Sequence, residues 1–87
     1  MAYRLEDTAA ARRDLQALPR DILRRIEARL QELAETPRPR GVERVRGTPG
    51  GLRVRVGAYR ILYTVDDTAQ VVTIGRVRHR RDVYRGL

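Results

Sequence analysis

The chain has 87 residues, one histidine and no cysteine, so it is long enough for one small domain with a thin core and offers neither a disulfide framework nor a zinc-type ligand set. No apolar run reaches the roughly 18 residues of a membrane span, and the N-terminal stretch MAYRLEDTAAARRD has no apolar signal core. We therefore expect a single soluble, cytoplasmic domain over residues 1–87 with no membrane contact, no cofactor and no metal site.

Positive charge is concentrated in the second part of the chain. All 19 basic residues are arginine, and the formal net charge is +8. Residues 1–36 contain seven arginines and seven acidic residues, whereas residues 37–87 contain twelve arginines and four acidic residues, so the second part carries the whole excess. Such a surface suits a polyanion, and nucleic acid is a better candidate than an anionic membrane because no basic amphipathic helix carries the charge.

Three elements are predicted before the charge excess begins. Tyr3 and Leu5 alternate with polar neighbours as in a short strand, and Thr8 is a suitable N-cap for a helix that runs to about Leu18. Pro19 suits the start of a second helix, which ends at the segment TPRPRG and whose apolar residues recur at spacings of three and four. These apolar residues are Ile22, Leu23, Ile26, Leu30, Leu33 and Ala34. The two helices should form a hairpin.

From Val42 onward the apolar period changes to two, which predicts antiparallel strands. The strand segments are GVERVRG, LRVRVG, YRILYTVD and QVVTIGRV, separated by turn signals at TPGG, Gly57-Ala58 and Asp67-Thr68. The order β, α, α and then a run of β predicts an α+β fold, in which one small twisted antiparallel sheet packs on the N-terminal two-helix hairpin.

The turn at Gly57-Ala58 predicts a strand register. A glycine in first position is typical of a type II′ turn, which places Arg55 directly opposite Arg60. The apolar residues of both strands then face the helices, and Arg53, Arg55 and Arg60 lie on the opposite, open face. Two arginines about 5 Å apart at Cβ repel each other unless an anion or a carboxylate lies between them. Arg53 and Arg55 are separated by roughly 6–7 Å along the strand, a spacing that suits successive phosphates of a single strand.

Both basic segments also admit a purely structural explanation. Arginines that alternate with valines occur as ordinary edge-strand protection. The C-terminal segment VRHRRDVYR has the composition of a solvated tail, in which the lone histidine is incidental and Tyr84 only packs.

Taken together, the element order, the segment GVERVRGTPGGLRVRVGAYRILYTVD and the closing VRHRRDVYR resemble the RelE superfamily of bacterial toxins over nearly the whole chain. The more diagnostic parts are the VRG-P segment, the LRVRV and YRILY strands and the ending HRRDVY. The resemblance implies a RelE-like microbial RNase fold. It further implies a cognate acidic antitoxin in a toxin–antitoxin hetero-oligomer and, in the RelE branch, cleavage of messenger RNA in the ribosomal A site with contacts to 16S rRNA.

The resemblance also implies roles for individual positions. The implied catalytic residues are Arg60, His79, Arg80 and Tyr84. The implied RNA-binding residues are Arg46, Arg53, Arg55, Arg78 and Arg81. Some family members place lysines on the central strand where this chain has arginines, and a guanidinium does not give up its proton. Proton transfer would therefore fall to His79 or Tyr84.

The reaction implied by the resemblance is metal-independent attack of an RNA 2′-hydroxyl on the adjacent phosphate, which leaves a cyclic phosphate and a free 5′-hydroxyl. Two other functions stay open. The ParE branch shares the fold and poisons DNA gyrase without cutting RNA, and a non-catalytic basic RNA-binding module would carry the same charge, although the open face has few stacking aromatic residues. The HRRDVY ending combined with three arginines on the sheet favours the nuclease.

Overall fold

The computed structural model describes residues 2–81 of the chain. Its elements are β1 (Arg4–Asp7), α1 (Ala9–Gln16), α2 (Arg20–Glu35), β2 (Glu43–Arg44), β3 (Leu52–Val56), β4 (Tyr59–Asp66) and β5 (Val71–His79). The strands form one five-stranded sheet in the order β1-β5-β4-β3-β2, which confirms the predicted α+β class. Between residues 2 and 81, neither helix combines the length and hydropathy that a membrane crossing requires.

The sheet is mixed rather than wholly antiparallel. Strands β2 to β5 pair antiparallel as predicted, but β1 pairs with β5 in parallel, with Leu5 opposite Val72. Alternating apolar residues predict a strand but not the direction of its neighbour. That direction is decided here by the crossover, which carries the chain through both helices and three strands before β5 returns beside β1.

Both helices begin where the sequence predicts, whereas α1 ends at Gln16, two residues before the expected Leu18. The hydroxyl of Thr8 caps α1 by accepting a hydrogen bond from the Ala11 N–H at 3.1 Å. Helix α2 follows Pro19, which occupies its N-cap position. Its apolar stripe packs against the inner face of the sheet and buries Ile26, Leu30, Leu33 and Ala34.

Helix α1 covers the edge of β5 that lies beyond the end of β1. The Thr8 N–H donates to the carbonyl of Ile74 at 3.0 Å, and the Thr8 hydroxyl donates to the carbonyl of Gly75 at 2.9 Å. Six residues further on, the Asp14 carboxylate accepts from the Val77 N–H at 2.9 Å. These bonds satisfy backbone groups that an open sheet edge would leave unpaired.

A bulge in β5 determines which side chains of this strand reach the core. Leu62 of β4 is opposite Arg76, but the next residue, Tyr63, is opposite Ile74, so Gly75 has no partner on β4. Because one extra residue shifts the alternation of a strand by one position, the core-facing residues change from even to odd numbers along β5. Ile74 and Val77 are both buried as a result.

Candidate nucleic-acid interface

The hairpin between β3 and β4 has the register that the sequence predicts. Gly57 has a φ of +59°, whereas Ala58 has a negative φ, which is the pattern of a type II′ turn. Arg55 is directly opposite Arg60. Both lie on the open face, because the neighbouring residues Val54 and Ile61 are buried in the core on the other side.

The arginine pair extends onto a third strand. Arg60 of β4 is also opposite Arg78 of β5, so Arg55, Arg60 and Arg78 occupy adjacent positions on three strands spaced about 4.8 Å apart. We call these three residues the arginine row. Arg55 is exposed, and the other two are partly buried. Arg78 reaches the open face only because of the bulge at Gly75.

Arg60 lies at the centre of the arginine row and has an unsatisfied donor. Its Nη1 is buried, and no acceptor within residues 2–81 contacts it. None of the ion pairs in the same part of the chain involves Arg55 or Arg60. A buried donor that lacks a partner typically costs about 1–3 kcal/mol, so this nitrogen makes an unfavourable contribution to the stability of the described residues.

Two further arginines flank the arginine row, and carboxylates engage both. Arg53 Nε lies 3.1 Å from Glu43 Oε1, and Arg76 Nε lies 2.9 Å from Asp14 Oδ2. The Glu43 contact was missed from the sequence because it depends on the register of β2, a strand of only two residues. Arg53 therefore lies on the open face as predicted, but its guanidinium is held in an exposed ion pair with Glu43. Such pairs contribute little stability.

The Asp14 carboxylate lies at the rim of the open face. Partial burial on its own would raise the pKa of this group. Hydrogen bonds from Arg76 and the Val77 N–H, together with the charges of Arg76 and Arg78, outweigh burial and lower the pKa of Asp14 below its usual range. Asp14 is thus an anion that fixes the end of β5 on α1.

His79 lies on the opposite face from the arginine row. It is paired with Tyr59 across the strands, and the two rings form an edge-to-face contact with centroids 5.2 Å apart. Its Nδ1 accepts a hydrogen bond from the Arg81 N–H at 3.3 Å. The structure does not bring His79 together with Arg55 and Arg60, although its neighbour in sequence, Arg78, does join them.

The remaining predicted residues lie around the ends of the open face. The Arg80 N–H donates to the Ala58 carbonyl at 2.7 Å, which anchors Arg80 at the hairpin end of the sheet. Arg80 and Arg81 are both exposed, as is Arg46 in the loop between β2 and β3. Tyr84 lies outside the described residues 2–81. Within that range, no group of three His, Cys, Asp or Glu side chains is placed to hold a metal ion.

The chain is similar to a group of known toxins. The family described as "ParE toxin of type II toxin-antitoxin system, parDE" matches residues 5–84. Toxin RelG of Mycobacterium tuberculosis is 41% identical over 86 residues, which cover 98% of this chain and 99% of that protein.

Solved structures agree with the sequence matches. The toxin–antitoxin complex RelBE2 of Mycobacterium tuberculosis contains a chain with a TM-score of 0.82 and 36% identity, and the match covers 92% of this chain and 93% of that one. The intact RelBE toxin–antitoxin complex of E. coli gives a TM-score of 0.80 at 26% identity, over 90% of this chain and 96% of that one.

Proposed function

Because this chain belongs to the ParE toxin family within the RelE/ParE superfamily and is a RelE-type toxin of a type II toxin–antitoxin system, we propose that it is a metal-independent endoribonuclease that cleaves messenger RNA in the ribosomal A site. The observation that carries this proposal is the arginine row. Three guanidinium groups on adjacent strands, with Arg60 Nη1 buried and lacking an acceptor within residues 2–81, suit a phosphate that gains negative charge during a reaction.

The proposed reaction is an internal transfer at phosphorus. The RNA 2′-oxygen loses its proton and bonds to the adjacent phosphorus, and the bond from phosphorus to the 5′-oxygen breaks. The products are a 2′,3′-cyclic phosphate and a 5′-hydroxyl, whose oxygen takes up a proton. The arginine row stabilises the charge of the five-coordinate transition state, and Arg80, anchored at Ala58 beside the same end of the sheet, adds a fourth cation.

Proton transfer is assigned to the C-terminal segment, because arginine keeps its proton. Of the two candidates we favour Tyr84, whose position matches the closing tyrosine of the resemblance. The ring of His79 packs against Tyr59 on the helix side of the sheet, and its Nδ1 already accepts from the Arg81 N–H. We propose that His79 positions the segment that begins at Arg80.

The same basic surface suits the proposed partners. Arg46, Arg53 and Arg81 extend the positive charge beyond the arginine row and would contact RNA phosphates on messenger RNA and 16S rRNA. A cognate acidic antitoxin that folds on binding would neutralise these charges in a hetero-oligomer, as the two solved complexes are toxin–antitoxin assemblies. Action on ribosomes places the protein in the cytoplasm.

The test is cleavage of end-labelled messenger RNA on programmed ribosomes. We expect cleavage within the A-site codon, and we expect Arg60→Gln to slow it by about 10²–10³-fold, the usual cost of losing a donor to a transition-state oxyanion. Arg44→Gln is the matched control, since Arg44 is an exposed strand residue opposite Leu52. An intact message after prolonged incubation with excess wild-type toxin would reject the proposal.

The second candidate is inhibition of DNA gyrase, which the family description parDE favours. A supercoiling assay with purified gyrase distinguishes it from the nuclease. Inhibition by the wild type without cleavage of ribosome-bound message would support this candidate. RNA binding without either activity would instead identify a non-catalytic RNA-binding module.

A further inference from the structure

The open face contains a groove beside the arginine row. Its volume is about 530 Å³, which lies within the range of about 300–1,000 Å³ that is usual for small-ligand sites. Leu62, Thr64, Thr73 and Gly75 line it on β4 and β5, and Arg46 lines it from the loop between β2 and β3. The groove therefore has apolar surface, hydroxyl groups and positive charge.

The β5 bulge helps to create this groove. Gly75 is the bulged residue, and it sits on the open face next to Arg76, between the buried residues Ile74 and Val77. A Cβ at Gly75 would lie 3.5 Å from the Leu62 carbonyl oxygen and meet no other atom within 4 Å. A glycine in a strand commonly marks a position where another molecule approaches the backbone. The missing side chain leaves the space beside the Leu62 carbonyl open.

We propose that the groove is a subsite for one nucleobase of the RNA strand whose phosphate lies on the arginine row. This inference rests on the proposed function for its substrate. Leu62 follows Arg60 by two residues on the same strand face, so their Cα atoms are about 6.6 Å apart. That distance is comparable to the separation between a phosphate and the base of the same nucleotide. A nucleotide with its phosphate on Arg60 can therefore reach Leu62 with its base.

Apart from Arg46, which reaches the groove from the loop between β2 and β3, the lining suits a base better than a further phosphate. Leu62 offers an apolar surface for a base plane, and the Thr64 and Thr73 hydroxyls can donate to or accept from a base edge. Arg76 also lines the groove, but its guanidinium is bound by Asp14 and is already neutralised. Contact between a base and such a surface depends little on which base is present, and we expect it to change the affinity by about tenfold, which is about 1.4 kcal/mol.

The experiment measures binding of short RNA that cannot be cleaved. A 2′-O-methyl trinucleotide has a blocked 2′-oxygen, and it is compared with three versions that each lack one base, by fluorescence anisotropy with the wild-type protein. We expect the loss of one particular base to weaken binding about tenfold. Loss of either of the other two should have a smaller effect.

Two substitutions assign this effect to the groove. Gly75→Val fills the groove. It should reduce the affinity for the intact trinucleotide to the affinity that the wild type shows for the version lacking the critical base. The affinity for that abasic version should stay the same. Leu62→Ala removes the apolar contact and should act in the same direction, which covers the case that Gly75→Val does not fold. Ala28→Val, on the exposed side of α2, is the control for added volume.

The inference is overturned if the wild type binds all three abasic trinucleotides as tightly as the intact one. It is also overturned if the wild type binds neither the intact trinucleotide nor any abasic version. It is equally overturned if both groove variants keep the wild-type ratio, in which case the groove belongs to another occupant such as an apolar side chain of a partner protein. Cleavage is measured separately. If the toxin cleaves ribosome-bound message but does not distinguish the abasic trinucleotides, the proposed function stands and the subsite is rejected. If it distinguishes them but does not cleave, only the subsite stands.

Discussion

Replacing Arg55 or Arg60 by glutamine should make the protein more stable and less active. Arg60 has a like-charged neighbour on each side, whereas Arg55 has only Arg60 beside it in the arginine row. Glutamine keeps a polar, hydrogen-bonding end and removes the charge. The control is again Arg44→Gln, which lowers the net charge equally but removes an arginine whose cross-strand partner is Leu52.

The size of the gain follows from the spacing of the row. Two unit charges about 5 Å apart in water repel by about 0.8 kcal/mol, and physiological salt reduces this by roughly half. Flexible side chains splay apart, so we expect about 0.2–0.5 kcal/mol for each adjacent pair, within the range of cross-strand pairs. Arg55→Gln relieves one pair. Arg60→Gln relieves two, although the second is weaker because Asp14 partly balances the charge of Arg78.

Thermal unfolding at low and high salt measures this effect. For a domain of this size, about 1 kcal/mol shifts Tm by roughly 4–8 °C, so Arg55→Gln should raise Tm by about 1–4 °C relative to Arg44→Gln. The gain should shrink in about 1 M salt, where the screening length falls to about 3 Å. A lower Tm for Arg55→Gln than for the control would show that Arg55 stabilises the fold, and a gain that is independent of salt would contradict its electrostatic origin.

Two further predictions concern Asp14 and the reaction products. Asp14→Asn should lower the free energy of unfolding by about 1–2 kcal/mol at neutral pH, because it weakens the bonds to Arg76 and Val77. Since the folded-state pKa of Asp14 is lowered, the wild type keeps this contribution above about pH 4 and loses it as the pH falls through the folded-state pKa. Urea melts of the two proteins should therefore converge in acid, and an equal difference at pH 7 and pH 3 would refute the assignment. Toxin treated with EDTA and then added to ribosomes in fresh magnesium should still cleave, with 2′,3′-cyclic phosphate on the product; loss of activity or a linear 3′-phosphate as the primary product would contradict the proposed chemistry.

Local chemistry was sufficient to predict the β3–β4 hairpin. A two-residue turn with glycine first leaves one register, so the pairing of Arg55 with Arg60 could be deduced without coordinates. The apolar spacing of α2 and its start after Pro19 were equally local. In contrast, the parallel pairing of β1 with β5 depends on the path of the whole chain, and no property of residues 4–7 encodes it.

The β5 bulge determines which face each side chain occupies at the C-terminal end of the sheet, and the sequence analysis assigned no faces along this strand. Ile74 faces the core, so strict alternation would place Arg76 and Arg78 in the core and His79 on the open face. The extra residue at Gly75 reverses this assignment. Arg78 thereby joins the arginine row, and His79 moves to the helix side against Tyr59. A glycine within a strand pattern is the one signal that could have indicated the bulge.

The position of His79 leads to a test of the proton carrier. His79→Asn keeps an acceptor for the Arg81 N–H but removes the titrating ring, so we expect cleavage at close to the wild-type rate. Tyr84→Phe keeps an aromatic ring and removes the hydroxyl, and it should slow cleavage by about 10²-fold or more, the usual contribution of a proton-transfer group. Single-turnover cleavage on programmed ribosomes measures both. If His79→Asn slowed cleavage and Tyr84→Phe did not, the proton would be assigned to His79, whose ring would then have to leave Tyr59. Wild-type rates for both variants would leave catalysis to arginine charge and substrate positioning alone.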